Sequence, residues 1–81
     1  MKYMKRIRQL RKENGYNQAT VANILGVAQT TYSDYETGNL RISVEHILEL
    51  AQFYNVDMNY ICGVSDIKHE FPNTKKDSPA D

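Results

Sequence analysis

Gln29, Thr30, Ser33, Asp34 and Thr37 lie within the stretch GVAQTTYSDYETG, Gly26 to Gly38, and their spacing puts them on one side of a helix that advances about 100° per residue. Ala28, Tyr32 and Tyr35 fall nearly opposite. A helix face that only meets solvent usually carries Lys and Glu, which form helices well and keep a surface soluble. Short Gln, Thr and Ser side chains instead donate and accept hydrogen bonds while occupying little room. Such a surface is suited to coming close to another polar surface and reading it. The chemistry it offers is recognition. Catalysis needs a nucleophile paired with a base, or a metal-ligand cluster. The sequence shows neither, so no enzymatic activity, metal or cofactor is expected.

The elements that must hold this stretch follow from apolar spacing and from capping residues. Tyr3, Ile7 and Leu10 recur at helical intervals, predicting a helix over 3–14 closed by Gly15. Asn17 can cap a second helix, 18–25, with Val21, Ala22 and Leu25 on one face and Gly26 as its stop. The central stretch is a third helix, 29–37. Ser43 caps a fourth over 44–54, amphipathic through Val44, Ile47, Leu48, Leu50, Ala51 and Tyr54, and Asp57 caps a short fifth over 58–62. No segment alternates with period two. The expected fold is an all-α, compact five-helix bundle over residues 1–65. Residues 66–81 read as a polar, flexible tail, mobile beyond about residue 68.

With 81 residues, the chain has room for one domain with a single core. One cysteine, Cys62, excludes an intramolecular disulfide framework and reads as a small packed residue, while His46 and His69 read as surface residues. No run is long and apolar enough to span a bilayer, and the N-terminus carries no secretory h-region, so a cytoplasmic location is expected. The formal net charge of zero conceals a polarity. Residues 1–41 hold seven basic side chains against three acidic, a balance of +4, and residues 42–81 hold three against seven, a balance of −4. One side of the molecule can therefore face an anion.

Two short helices joined across Gly26-Val27-Ala28 form a helix-turn-helix, whose second helix enters the DNA major groove. Gln can pair with adenine N6 and N7, and Thr can meet a base edge or a thymine methyl. Over residues 7–63 the chain resembles the phage-repressor-like (Cro-type, XRE) helix-turn-helix family. The matching residues are Leu10-Arg11 before Gly15, Asn17-Gln18, Val21-Ala22, Leu25-Gly26-Val27, Tyr35-Glu36 with Gly38, Leu50-Ala51, Val56-Asp57 and Tyr60-Ile61. The resemblance implies a lambda-repressor-like bundle with its motif at about 18–37. It also implies a sequence-specific DNA-binding regulator, expected to be a repressor acting as a homodimer on an inverted repeat.

Carried onto this sequence, the resemblance makes Gln18 a phosphate contact that braces Gln29. It places Gln29, Thr30, Ser33 and Asp34 towards the bases, with Thr31, Thr37, Asn39 and Arg41 completing the DNA-contacting set. Arg11 and Glu36 become a structural ion pair. Two departures stand out: Ala28 occupies a position where the family has a Ser or Thr cap, and the loop 39–42 lacks the usual proline. Ile24 and Phe53 stand where such a bundle is usually polar or small. Phe53, Tyr60, Val64 and Ile67 are the expected dimer contact, and a rival reading is a module, such as an antitoxin, whose main partner is another protein.

Overall fold

In a computed structural model, residues 2–72 are described, Lys2 by its backbone alone. Five helices follow one another: α1 (Lys2–Glu13), α2 (Gln18–Leu25), α3 (Gln29–Thr37), α4 (Val44–Tyr54) and α5 (Met58–Ile61). There is no strand among the described residues. The starts of three helices have the caps that the sequence implied. Asn17 accepts from Thr20 N at 2.8 Å, Ser43 from His46 N at 3.1 Å and Asp57 from Tyr60 N at 2.8 Å. Ala28, before α3, supplies no side-chain cap.

All five helices contribute to one core. Ile7 and Leu10 of α1 meet Val21, Ala22 and Leu25 of α2, Tyr32 and Tyr35 of α3, Ile47, Leu50 and Ala51 of α4, and Tyr60 and Ile61 of α5. Val44 departs from the sequence reading: at the first position of α4 it is 75% exposed, and Leu48 is also exposed, so the buried stripe is narrower than the apolar pattern suggested. α4 ends at Asn55, the one non-glycine residue with positive φ (56°) among those described. Asparagine tolerates this left-handed geometry better than most residues with a Cβ.

The chain beyond Ser65 differs from the expectation of a fraying tail, because as far as Pro72 it returns along the bundle. Arg6 Nη2 bonds Asp66 Oδ1 at 2.7 Å, and Lys68 Nζ reaches Glu13 Oε1 at 3.4 Å. Asp57 N–H donates to His69 O at 2.8 Å, Phe71 N–H donates to Asn55 Oδ1 at 3.2 Å, and the Phe71 ring packs against the core. A polar composition concealed this return, since one aromatic ring and main-chain bonds suffice to hold it. The rest of the expected tail, 73–81, lies outside the described residues.

Beneath α3 sits a buried ion pair. Arg11 Nε donates to Glu36 Oε2 at 2.7 Å and Nη2 to Oε1 at 3.1 Å, a bidentate pair whose side chains are 11% and 3% exposed. Arg11 Nη1 also donates to Tyr16 O at 3.0 Å, and Gln18 Nε2 donates to Glu36 Oε1 at 3.2 Å. One ion pair thus joins α1, the α1–α2 loop, the start of α2 and the end of α3. Burial alone would raise the Glu36 pKa, but hydrogen bonding, above all from Arg11, together with the Arg11 charge outweighs it and holds the carboxyl below its usual range. Burial also pushes the phenols of Tyr32 and Tyr54 well above theirs.

Removing one partner of a buried pair costs about 3–5 kcal/mol, because the other charge is left uncompensated. A domain of this size has little more in total. Glu36→Ala should therefore abolish or nearly abolish cooperative thermal unfolding at neutral pH, as followed by far-UV circular dichroism. An unchanged melting temperature would refute a structural role for the pair.

The same carboxylate sets an acid limit. A folded-state pKa below the ordinary value of 4.5 means that its contribution to stability is complete above that value, and is lost as pH falls through the folded pKa. Urea midpoints should stay level from pH 7 to about 5 and fall steeply below about 4.5. In Glu36→Gln the midpoint should be lower at neutral pH and the acid-side slope shallower.

Candidate nucleic-acid interface

The turn from α2 to α3 is built by main-chain geometry. Gly26 takes the left-handed conformation (φ 72°), which glycine adopts without a Cβ clash, and Val27 N–H returns to Ala22 O at 3.0 Å. Ala28 is extended, and its carbonyl accepts the first helical bond of α3 from Tyr32 N–H at 3.0 Å. At the other end Gly38 (φ 85°) closes α3. Its N–H and that of Leu40 both bond Asp34 O, at 3.0 and 3.2 Å.

Two tyrosines anchor the inner side of α3. Tyr32 and Tyr35 are buried, with ring centroids 6.3 Å apart at 81°, an edge-to-face arrangement. The Tyr35 hydroxyl lies 3.3 Å from His46 Nδ1, which ties α3 to α4. His46 is therefore half-buried and bonded rather than a plain surface residue. With Tyr32 and Tyr35 inward and Glu36 clamped, the opposite face of α3 has a fixed orientation.

That face carries the residues singled out from the sequence. Gln29, Thr30 and Thr37 are exposed, while Thr31, Ser33 and Asp34 are half-buried. Thr37 Oγ1 donates back to Asp34 O at 3.3 Å, so this hydroxyl serves the last turn of its own helix. Asn39 and Arg41 are exposed in the loop after α3. Gln18, half-buried at the start of α2, differs from expectation in its partner: its amide is held by Glu36 and not by Gln29. Gln29 is thus left with its amide unengaged among the described residues. The combined surface is nearly neutral, with Arg41 as its exposed cation and Asp34 as its anion. Its capacity is hydrogen-bond recognition at close range.

The expected dimer residues do not form one set. Tyr60 is 5% exposed and belongs to the core, where Gln9 Nε2 reaches its hydroxyl at 3.3 Å and the Arg6 guanidinium stacks 3.9 Å from its ring centre. Its place on a four-residue helix wrapped by α1 and the returning chain explains the burial. Phe53, Val64 and Ile67 are exposed, as is Ile24. Phe53 packs 5.4 Å from Tyr16 and 5.0 Å from Tyr54, an aromatic group spanning the α1–α2 loop and the end of α4 that periodicity within single helices could not reveal. Cys62 is half-buried against the core, and burial raises its thiol pKa. Among the described residues no cluster of His, Cys, Asp or Glu could hold a metal ion, and no helix is long and apolar enough to cross a membrane.

Comparison with known proteins places this geometry in context. The chain is 43% identical over 54 residues to RstR, the cryptic phage CTXphi transcriptional repressor of Vibrio cholerae, covering 67% of this chain and 49% of that protein. It is 33% identical over 64 residues to YobD, an uncharacterised HTH-type transcriptional regulator of Bacillus subtilis, covering 79% and 57% respectively. The chain thus spans about half the length of the curated relatives it matches. Among solved structures, the N-terminal DNA-binding domain of SinR from Bacillus subtilis superposes with a TM-score of 0.65 at 26% identity, covering 74% of this chain and 88% of that one. A transcriptional regulator from Listeria innocua shares the fold, with a TM-score of 0.70 at 21% identity over 93% and 69% of the two chains. The sequence model of the helix-turn-helix family HTH_3 matches residues 7–61, from the first core residue of α1 to the last of α5, and the chain belongs to that family.

Proposed function

We propose that this chain is a DNA-binding transcriptional regulator, a repressor, that reads the major groove with α3. The observation that carries the reading is the row of short polar side chains on α3, held outward by two buried tyrosines and a buried ion pair directly after a tight turn. A helix fits the major groove, where every base pair shows a distinct donor and acceptor pattern. Gln29, Thr30 and Ser33 then meet base edges, with Asp34 beside them. Gln18, Asn39 and Arg41 meet the backbone on either side, and Thr31 and Thr37 support the flanks. The family and the relatives' names favour this over a module that chiefly grips another protein. The same reading keeps the protein in the compartment that holds the DNA.

The test separates reading from gripping. A duplex selected by the wild type from a random-sequence pool is varied one base pair at a time and measured with wild type, Gln29→Ala and Gln18→Ala. Gln29→Ala should relax discrimination by about 1–3 kcal/mol at one or two adjacent positions. Gln18→Ala should weaken all duplexes about equally, with the salt slope unchanged because no charge is lost. Equal, sequence-blind losses for both would refute base readout by α3.

One such helix reads only a few base pairs, so we further propose a homodimer on an inverted repeat, with half-sites about one turn apart. Phe53, Val64 and Ile67 are the exposed apolar candidates for its contact. Sedimentation at high micromolar concentration, with and without the selected duplex, should give twice the monomer mass in at least one condition. A monomer in both would overturn the proposal.

A further inference from the structure

α1 has three distinct sides. Met4 and Arg11 face α3: the Met4 side chain packs against Gly38, and Arg11 clamps Glu36. Arg6, Gln9 and Glu13 face α5 and the returning chain, through Asp66, Tyr60 and Lys68. Between these sides Lys5, Arg8 and Lys12 form an exposed row and, with Gln9, line a shallow concavity. Arg6, Arg11 and Lys68 are each paired with a carboxylate. Among the described residues, Lys5, Arg8 and Lys12 have no such partner, and the other side chain in that position is Arg41, just after α3.

The row adjoins the face of α3 already described. Around α1, the core residues Ile7 and Leu10 lie to one side of Arg11, and Arg8 and Lys12 follow on the other. Around α3, Tyr32 and Tyr35 lie to one side of Glu36, and Gln29 and Ser33 follow on the other. The ion pair is therefore a seam. On its inner side both helices enter the core, and on its outer side the basic row and the polar row both open to solvent.

A polyanion binds through cations, and α3 has none. Residues 5 to 12 span about 10 Å of helix. A DNA strand carries a phosphate at every nucleotide, so a row of that length can meet more than one of them. We propose that Lys5, Arg8 and Lys12 contact the phosphate backbone of the same duplex that α3 reads, and supply most of the salt dependence of binding. This inference rests on the regulator reading above.

The experiment measures affinity for the selected duplex across a salt series. The proteins are wild type, Arg8→Gln, the triple variant Lys5→Gln/Arg8→Gln/Lys12→Gln, and Lys68→Gln. The last removes the same charge as Arg8→Gln from the α5 side. The slope of log affinity against log salt should become shallower by about 1 for Arg8→Gln and by about 2–3 for the triple variant, with base-pair preference unchanged in both. Lys68→Gln should keep the wild-type slope. Thermal melts establish that each variant is folded, and Arg8→Gln alone decides the matter if the triple variant is not. Wild-type slopes in the Arg8 and triple variants would overturn the proposal and leave the row to an acidic protein surface. An equal change in Lys68→Gln would overturn it in favour of overall charge. Failure of the wild type to bind any pool sequence at low salt would instead sink the regulator reading itself.

Discussion

A single carboxylate, that of Glu36, fixes where α3 lies. Its two oxygens accept from Arg11 and Gln18, and Arg11 in turn holds the carbonyl of Tyr16. Apolar contacts between short helices tolerate sliding and rotation, because dispersion and hydrophobic burial have little directionality. A bidentate guanidinium–carboxylate pair has strict geometry. The core therefore supplies the affinity of α3 for the bundle, while the pair supplies its rotation and height. A buried pair of this kind need not add net stability over an apolar substitute of the same volume. Its value here lies in orientation.

The division of labour on α3 follows from that constraint. Three of its nine residues face inward or into the pair: Tyr32, Tyr35 and Glu36. The other six positions are exposed or half-buried and none belongs to the core, which explains how they can be small and polar without weakening the fold. α3 turns only two residues into the core, Tyr32 and Tyr35. The tyrosines therefore both form the core and set the direction of the exposed row. Their hydroxyls mark how tightly this is done, since that of Tyr35 finds His46 while those of Tyr32 and Tyr54 lie buried without a protein partner at bonding geometry.

Most of this was legible in the sequence, for local reasons. Asn17, Ser43 and Asp57 announce helix starts because the cap bond spans only three residues. Gly26 and Gly38 announce stops because a positive φ strongly favours glycine. The inward tyrosines follow from period alone. The family match over 7–61 agrees with the resemblance drawn from ordered motifs. What escaped was long-range. Tyr60 looked available because its four-residue helix is too short for a wheel to assign faces, and its burial is made by Arg6, Gln9 and the chain returning past Ser65. Phe71 reads from the sequence as apolar surface for a partner, whereas its ring packs against the core and its N–H donates to the Asn55 side chain, sixteen residues back. Gln18 bonds Glu36, a contact between α2 and the end of α3 that spacing along one helix does not reveal.

The missing cap at Ala28 gives α3 a character of its own. The other three helices that follow a loop begin with a side chain accepting a first-turn amide, and α3 does not. The amides of its opening turn therefore lack the side-chain acceptor that holds the other starts closed. The end of α3 is clamped by Glu36 and its middle by two rings, whereas Gln29 and Thr30 at its start have neither hold. The side-chain holds on α3 therefore all lie beyond its opening residues, which close on main-chain bonds such as Tyr32 N–H to Ala28 O.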